Sequence, residues 1–214
     1  TIFSPLTTAK KLAGSRLFED MRSHPEYVHY ALKAITETTI NFVKLNIEAG
    51  VAGFFFASQC SSTDYMTEVE YLEFGKKYDL EVINSYKDES YFNIVHIHGD
   101  NTMFELIADY PVQCINWHDR WTKPTMLEAR SISDKCFCGG INEKWLSSAK
   151  PEEIKKHIRE VVLEAGPKGM MITPGCVATL DTPKINFVAA RTAIEGLYEE
   201  AIRLEEQGLA TESI

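Results

Sequence analysis

The 214-residue sequence predicts an α/β fold built on a parallel sheet. Three observations carry this expectation. Short apolar runs alternate strictly with longer helical patterns, the order that produces parallel strands joined by crossover helices. The runs are apolar almost without a break, as in Gly53-Phe54-Phe55-Phe56-Ala57, which is the pattern of a strand covered on both faces. Polar and metal-ligating residues gather where the runs end, at the carboxyl edge where parallel folds bind their ligands.

Taken in order, the strand-like runs are residues 1–6, 51–58, 91–98, 113–117, 135–139 and 169–173. Helical patterns fill the intervals at 8–13, 25–49, 67–87, 101–108, 125–131, 151–165 and 183–207, with Gly75 weakening the third. Several helix starts carry their own chemistry. His24-Pro25-Glu26 and Lys150-Pro151-Glu152-Glu153 put proline in the first turn with acids behind it, and Thr182-Pro183 adds a threonine cap. Gly50 and Gly166 follow helices, where a left-handed residue often ends the last turn. Six βα units fit either an open doubly wound sheet or a barrel from which two units are missing. No GxGxxG follows a strand, so dinucleotide binding has no support.

Composition narrows the function classes. An apolar fraction of 44% and a charged fraction of 25% are those of an ordinary globular protein that can bury a sizeable core. A net charge of -9 argues against nucleic acid or an anionic membrane surface as a partner, since both need clustered Lys and Arg. The chain has no run of 18 apolar residues, and residues 1–5 lack the basic and apolar regions of a signal peptide. The first residue is not Met, which hints that residues precede it in the parent gene. Five irregularly spaced cysteines argue against a disulfide framework and favour a reducing, cytoplasmic setting. We expect one domain over residues 1–208 and a frayed tail at 209–214.

The reactive residues sit at strand ends. The third run closes with His96-Ile97-His98-Gly99-Asp100-Asn101, and residues two apart on a strand share a face. The sixth leads into Thr173-Pro174-Gly175-Cys176. In a closed barrel these two strands can face each other across the mouth. His96, His98 and Cys176 would then give three ligands and an exchangeable fourth position, the pattern of catalytic zinc. The bland reading is that a histidine on a strand is hydrogen-bonded core and a single cysteine is a small buried hydrophobe. Cys136 and Cys138 read as strand core, and Cys60 and Cys114 as structural.

The fourth run ends in Asn116-Trp117-His118-Asp119-Arg120-Trp121. We read Asn116, His118 and Asp119 as a wall of the site, with His118 or Asp119 as a general acid or base or as a partner of the ligands. An Asp119–Arg120 ion pair is the structural alternative. Ser58-Gln59-Cys60-Ser61-Ser62 is a substrate contact or a plain loop. Asp181 is expected to cap a helix, with a substrate contact as the minor reading.

An ordered set of segments resembles the uroporphyrinogen decarboxylase superfamily. They are Phe3-Ser4-Pro5-Leu6-Thr7-Thr8-Ala9, Gly53-Phe54-Phe55-Phe56-Ala57-Ser58-Gln59, His96-Ile97-His98-Gly99-Asp100-Asn101, Ile115-Asn116-Trp117, Gly139-Gly140-Ile141-Asn142, and Pro174-Gly175-Cys176 followed by Asp181-Thr182-Pro183. The resemblance implies a (β/α)8 TIM barrel, of which this chain holds the C-terminal six βα units. Within the superfamily, methyltransferases that serve corrinoid proteins and coenzyme M carry His-x-Cys and a later Cys as zinc ligands. His96 and Cys176 match the first and last of these, and His98 stands where that pattern has Cys.

The resemblance thus implies zinc-dependent methyl transfer from a corrinoid carrier to a small-molecule thiol. The alternative is metal-free decarboxylation of uroporphyrinogen or a related carboxylated ring, with Asp119 or its neighbours stabilising a developing cation. A His-x-His metallohydrolase barrel ranks below both, because such enzymes usually place that motif on the first strand. The non-enzyme reading is an inactive fragment or binding subunit, since a complete barrel takes about 250 residues. Six units leave apolar sheet edges at residues 1–6 and 169–173, so a homodimer is expected.

Overall fold

Ser4 and Pro5 decide how the chain begins. In the computed structural model, which describes residues 1–207, proline opens helix α1 (Pro5–Ala13) and Ser4 caps it, its Oγ accepting the Thr7 N–H at 3.2 Å. The run expected as strand over 1–6 is therefore extended only at β1 (Ile2–Phe3). Helix α2 (Arg16–Ser23), absent from the sequence reading, precedes the 24-residue α3 (Pro25–Glu48). Arg22 at its end reaches Glu70 at 2.6 Å.

Strand β2 (Phe55–Ser58) leads to α4 (Glu68–Tyr71), a π-helical turn (Leu72–Lys76) and α5 (Lys77–Asn84). Gly75 belongs in that turn for a steric reason: a Cβ there would sit 2.4 Å from the Tyr71 ring. Then follow β3 (Ile94–Ile97), α6 (Phe104–Ile107), β4 (Cys114–Asn116), α7 (Met126–Ala129), β5 (Cys136–Ile141), α8 (Pro151–Ala165) and β6 (Met170–Pro174). The last helical pattern, expected unbroken over 183–207, is two helices, α9 (Lys184–Ala193) and α10 (Leu197–Glu206), parted at Gly196 with φ of 73°. Pro183 stands at the cap of α9, and the Thr182 hydroxyl bonds Thr179 instead of a helix N–H. Asp181 is exposed and does not cap the helix. Gly50 and Gly166 end their helices with positive φ, as expected. The tail expected to fray at 209–214 lies outside the described residues.

The six strands form one sheet in sequence order, β1 to β6, with β1–β2, β2–β3 and β5–β6 parallel. That order decides between the two architectures left open above. A doubly wound sheet reverses direction at a switch point, whereas barrel strands succeed one another without reversal. The fold is the six-unit sector of a TIM barrel.

By its contacts the chain divides into two compact units, Thr1–Ile115 and Asn116–Ile214, with the boundary inside β4. The first buries Leu6, Leu32, Val43, Phe56, Val95 and Ile97. The second packs Ile141, Leu146, Ile154, Ile158 and Val162 against Ala189 and Leu197. There Trp117 also meets Phe137 edge to face, with ring centroids 5.3 Å apart.

Candidate functional site

In the first unit the parallel register sets His96 beside Ala57, and the Ser58 carbonyl accepts the His98 N–H at 3.2 Å. His96 is buried and His98 half-buried. Their ring centroids lie 5.9 Å apart, as the two-residue strand period requires for side chains on one face. Phe55 stacks on His96 at 5.5 Å. The turn after them is stapled: Asp64 accepts the Asn101 Nδ2 at 2.6 Å and the Ser62 hydroxyl at 2.8 Å. These bonds, the one from Asn101 above all, hold the Asp64 carboxyl below its ordinary range. Cys60, Ser61 and Ser62 are buried, and burial pushes the Cys60 thiol up to about 11, so it is an unreactive core thiol.

In the second unit Asn116, His118 and Asp119 are all buried at the end of β4, and each has a separate task. Asn116 Nδ2 donates to the carbonyls of Cys138 at 2.8 Å and Pro174 at 3.3 Å, so one amide at the end of β4 ties the middle of β5 to the end of β6. Asp119 accepts the Gly140 N–H with both oxygens, at 3.0 and 3.1 Å. Burial raises its carboxyl to about 7 against that donation. A Cβ on Gly139 would lie 2.4 Å from its Oδ1, so only glycine admits this contact. Arg120 pairs with Glu164 at 3.4 Å.

His118 Nδ1 meets Glu143 Oε1 at 2.7 Å, and the Trp121 Nε1–H donates to the same oxygen at 2.9 Å. Glu143 is buried; burial works to raise its carboxyl, but the bonds from His118, the backbone and Trp121 hold it below the usual range. Cys176 follows β6 through Gly175, whose N–H bonds the Ile141 carbonyl at 3.2 Å. A Cβ at Gly175 would be 2.7 Å from the Trp117 carbonyl and 3.1 Å from both the His118 Cα and Glu143 Oε2. Glycine thus lets the turn carrying Cys176 lie directly against the His118–Glu143 pair. Cys176 is half-buried, and burial raises its thiol.

Glu143 is the residue that sequence reasoning missed. Its signal was available: the segment Gly139-Gly140-Ile141-Asn142 stops one residue short of it, and an acid just past a parallel strand is well placed for a site.

Residues 1–196 match the family model described as uroporphyrinogen decarboxylase (URO-D). The chain belongs to the uroporphyrinogen decarboxylase family. No curated protein matches it. Among solved structures it is similar to a methyltransferase from Methanosarcina mazei, 20% identical with a TM-score of 0.78. The match covers 92% of this chain and 57% of that one, so the chain spans little more than half of that neighbour's length. A likeness at that identity bears on the fold, and it agrees with the barrel order of the strands. In this uroporphyrinogen decarboxylase family member, then, the histidines of β3, the polar end of β4 and the cysteine after β6 all lie at the carboxyl ends of strands, where barrels place their chemistry. No helix among the described residues is long and apolar enough to cross a membrane.

Proposed function

We propose that this family member is a zinc-dependent methyltransferase acting between a corrinoid carrier and a small-molecule thiol. The observation that carries the reading is the donor set at the strand ends: His96 with His98 on one face in the first unit, and His118 against the turn that bears Cys176 in the second, four residues of the kinds that hold a metal ion. His118, first read as a catalytic wall residue, joins the three ligands expected from the sequence. The donors suit the ion. Imidazole and thiolate are the ligands zinc favours, and a metal-binding histidine ordinarily gives its other ring nitrogen to a carboxylate, as His118 does to Glu143. Glu143 also keeps a buried oxygen, Oε2, without a hydrogen-bond partner, a sign of a site built for more than packing.

The chemistry the ion supplies when bound is Lewis-acid activation, making a thiol acidic enough to be presented as a thiolate to a methyl group on the corrinoid. The chain's residues do the rest. Glu143 orients His118, Gly175 admits the turn that bears Cys176, and Asn116 and Asp119 lock the strand ends from which these side chains project. His96 and His118 are buried, which keeps water from competing for them.

Metal-free decarboxylation, the reaction that names the family, is the second reading. It asks Asp119 to meet a developing cation, yet the Asp119 carboxyl is held on the Gly140 N–H and burial favours the neutral acid, which has no charge to offer a cation. The two readings separate on metal content and turnover. Purified protein should carry about one zinc per chain by elemental analysis, and Cys176→Ala should lose most of it while keeping the fold, because residues at a barrel mouth serve function more than stability. Methylcobalamin should be demethylated by the wild type with an added thiol and not by the variant. Equal zinc in both proteins would remove Cys176 from the ligand set. Zinc-free wild type that releases carbon dioxide from a uroporphyrinogen would favour the second reading.

A further inference from the structure

Glu143 lies two residues past the end of β5 and is only 6% exposed. A charged side chain taken this far out of water has to be held by donors. Its Oε1 has two, His118 Nδ1 at 2.7 Å and Trp121 Nε1 at 2.9 Å. Its Oε2 faces the backbone of Gly175, immediately before Cys176. A carboxylate can only accept, so the Nδ1 of His118 must carry the hydrogen. In the neutral ring the lone pair is then on Nε2, the nitrogen on the far side from Glu143. The ring is clamped as well. Trp121 lies against it with centroids 4.1 Å apart, and the Lys144 ammonium sits over the other ring of this pair, 3.1 Å from the Trp121 centroid.

A buried acid–histidine pair is by itself a weak source of stability. Apolar residues of similar size would often do as well. Here one carboxylate fixes the tautomer and the plane of His118, and its second oxygen lies at the turn that carries another candidate ligand. We propose that Glu143 is a positioning residue: it sets His118 in the Nδ1–H form with Nε2 as the donor for an ion, and it seats that ring against the Pro174-Gly175-Cys176 turn. The proposal rests on the metal reading for what Nε2 binds, whereas the tautomer and the ring orientation belong to the protein without metal.

The test uses the whole chain in two steps. Long-range proton–nitrogen NMR correlations on metal-free, histidine-labelled protein report the tautomer, with the His118 signals assigned from their loss in His118→Gln. Wild type should show Nδ1–H almost alone. Glu143→Ala should shift the ring toward Nε2–H, and Glu143→Gln, whose amide oxygen still accepts, should keep the wild-type form. Zinc and cobalt titrations follow. Affinity should fall roughly 10–100-fold in Glu143→Ala, with altered cobalt absorption bands, and by about tenfold in Glu143→Gln. Should Glu143→Ala fail to fold by circular dichroism, the Gln variant still decides: its tautomer must hold and its affinity must drop. An Nε2–H ring in the wild type, an unchanged tautomer in Glu143→Ala, or equal metal affinity in a variant whose tautomer has moved would overturn the proposal. A wild type that binds neither zinc nor cobalt would defeat the metal reading, while the tautomer spectra would still decide whether Glu143 orients His118.

Discussion

Asp79 shows how much a single side chain can hold without any part in the candidate site. It is fully buried in α5, and its Oδ2 accepts the hydroxyls of Tyr71 at 2.8 Å and Tyr110 at 2.9 Å. Burial drives its carboxyl up to about 7, and the two tyrosine bonds oppose that only in part. The folded chain therefore holds this proton more tightly than the unfolded chain. The stabilisation is full below the ordinary carboxylate pKa of about 3.9 and is lost as pH rises through about 7. Asp79→Asn keeps an acceptor for the tyrosines and carries no charge. Urea unfolding at pH 5 and pH 8 should find the wild type weaker at pH 8, by on the order of a few kcal/mol at most. The variant should show a smaller difference, the remainder belonging to Asp119, whose carboxyl burial also raises to about 7, and equal pH 5 to pH 8 differences in the two proteins would refute the assignment. Gly139 offers a second test at this scale. Gly139→Ala forces a Cβ onto Asp119 Oδ1 and should cost about 1–3 kcal/mol in denaturant titrations, since overpacking a filled interior displaces its neighbours.

At the scale of elements, turn chemistry governed where reading from the sequence succeeded. The runs at 51–58, 91–98, 113–117, 135–139 and 169–173 each contain or overlap a strand, because a parallel strand buried on both faces needs a continuous apolar run. The run at 1–6 misled for the same reason in reverse. Leu6 is apolar because α1 buries it, and Pro5 at the first helical position had already ended the strand. Gly196 parts α9 from α10 through its positive φ, a break that an amphipathic pattern alone does not reveal. The Pro174-Gly175-Cys176 turn is the element on which the site depends most. Gly175→Ala cannot keep its backbone in place, since the clash is with the Trp117 carbonyl and not with a movable side-chain end. It should lower zinc content about as far as Cys176→Ala does while leaving the circular dichroism of the helices intact, and unchanged zinc would show that the turn can relax.

For the molecule as a whole, β1 and β6 are the outermost strands of the sheet order. Phe3 is 39% exposed and Met171 37%. Among the described residues no further strand lies beside these edges, and apolar residues there invite pairing with another chain, so we propose a homodimer. Sedimentation at micromolar concentration should show it, and Phe3→Lys with Met171→Lys should shift the equilibrium to monomer. A wild type that sediments as a monomer at every concentration would rule it out.

The sequence by itself determined the α/β class and the six βα units, because hydrophobic periodicity is a local signal that acts within a few residues, whereas the order of the strands in the sheet came from the structure. It also supplied the pair of His96 in β3 and His98 just after it, since two residues apart on extended backbone is a fixed geometry. What only tertiary structure decided was partnership. That the Asn116 amide ties three strands, that Asp119 is bound to Gly140, and that Glu143 holds His118 all join residues 21 to 58 positions apart. No period in the sequence encodes such pairings. They follow from which strand ends the parallel sheet brings side by side, and from the few glycines small enough to let them touch.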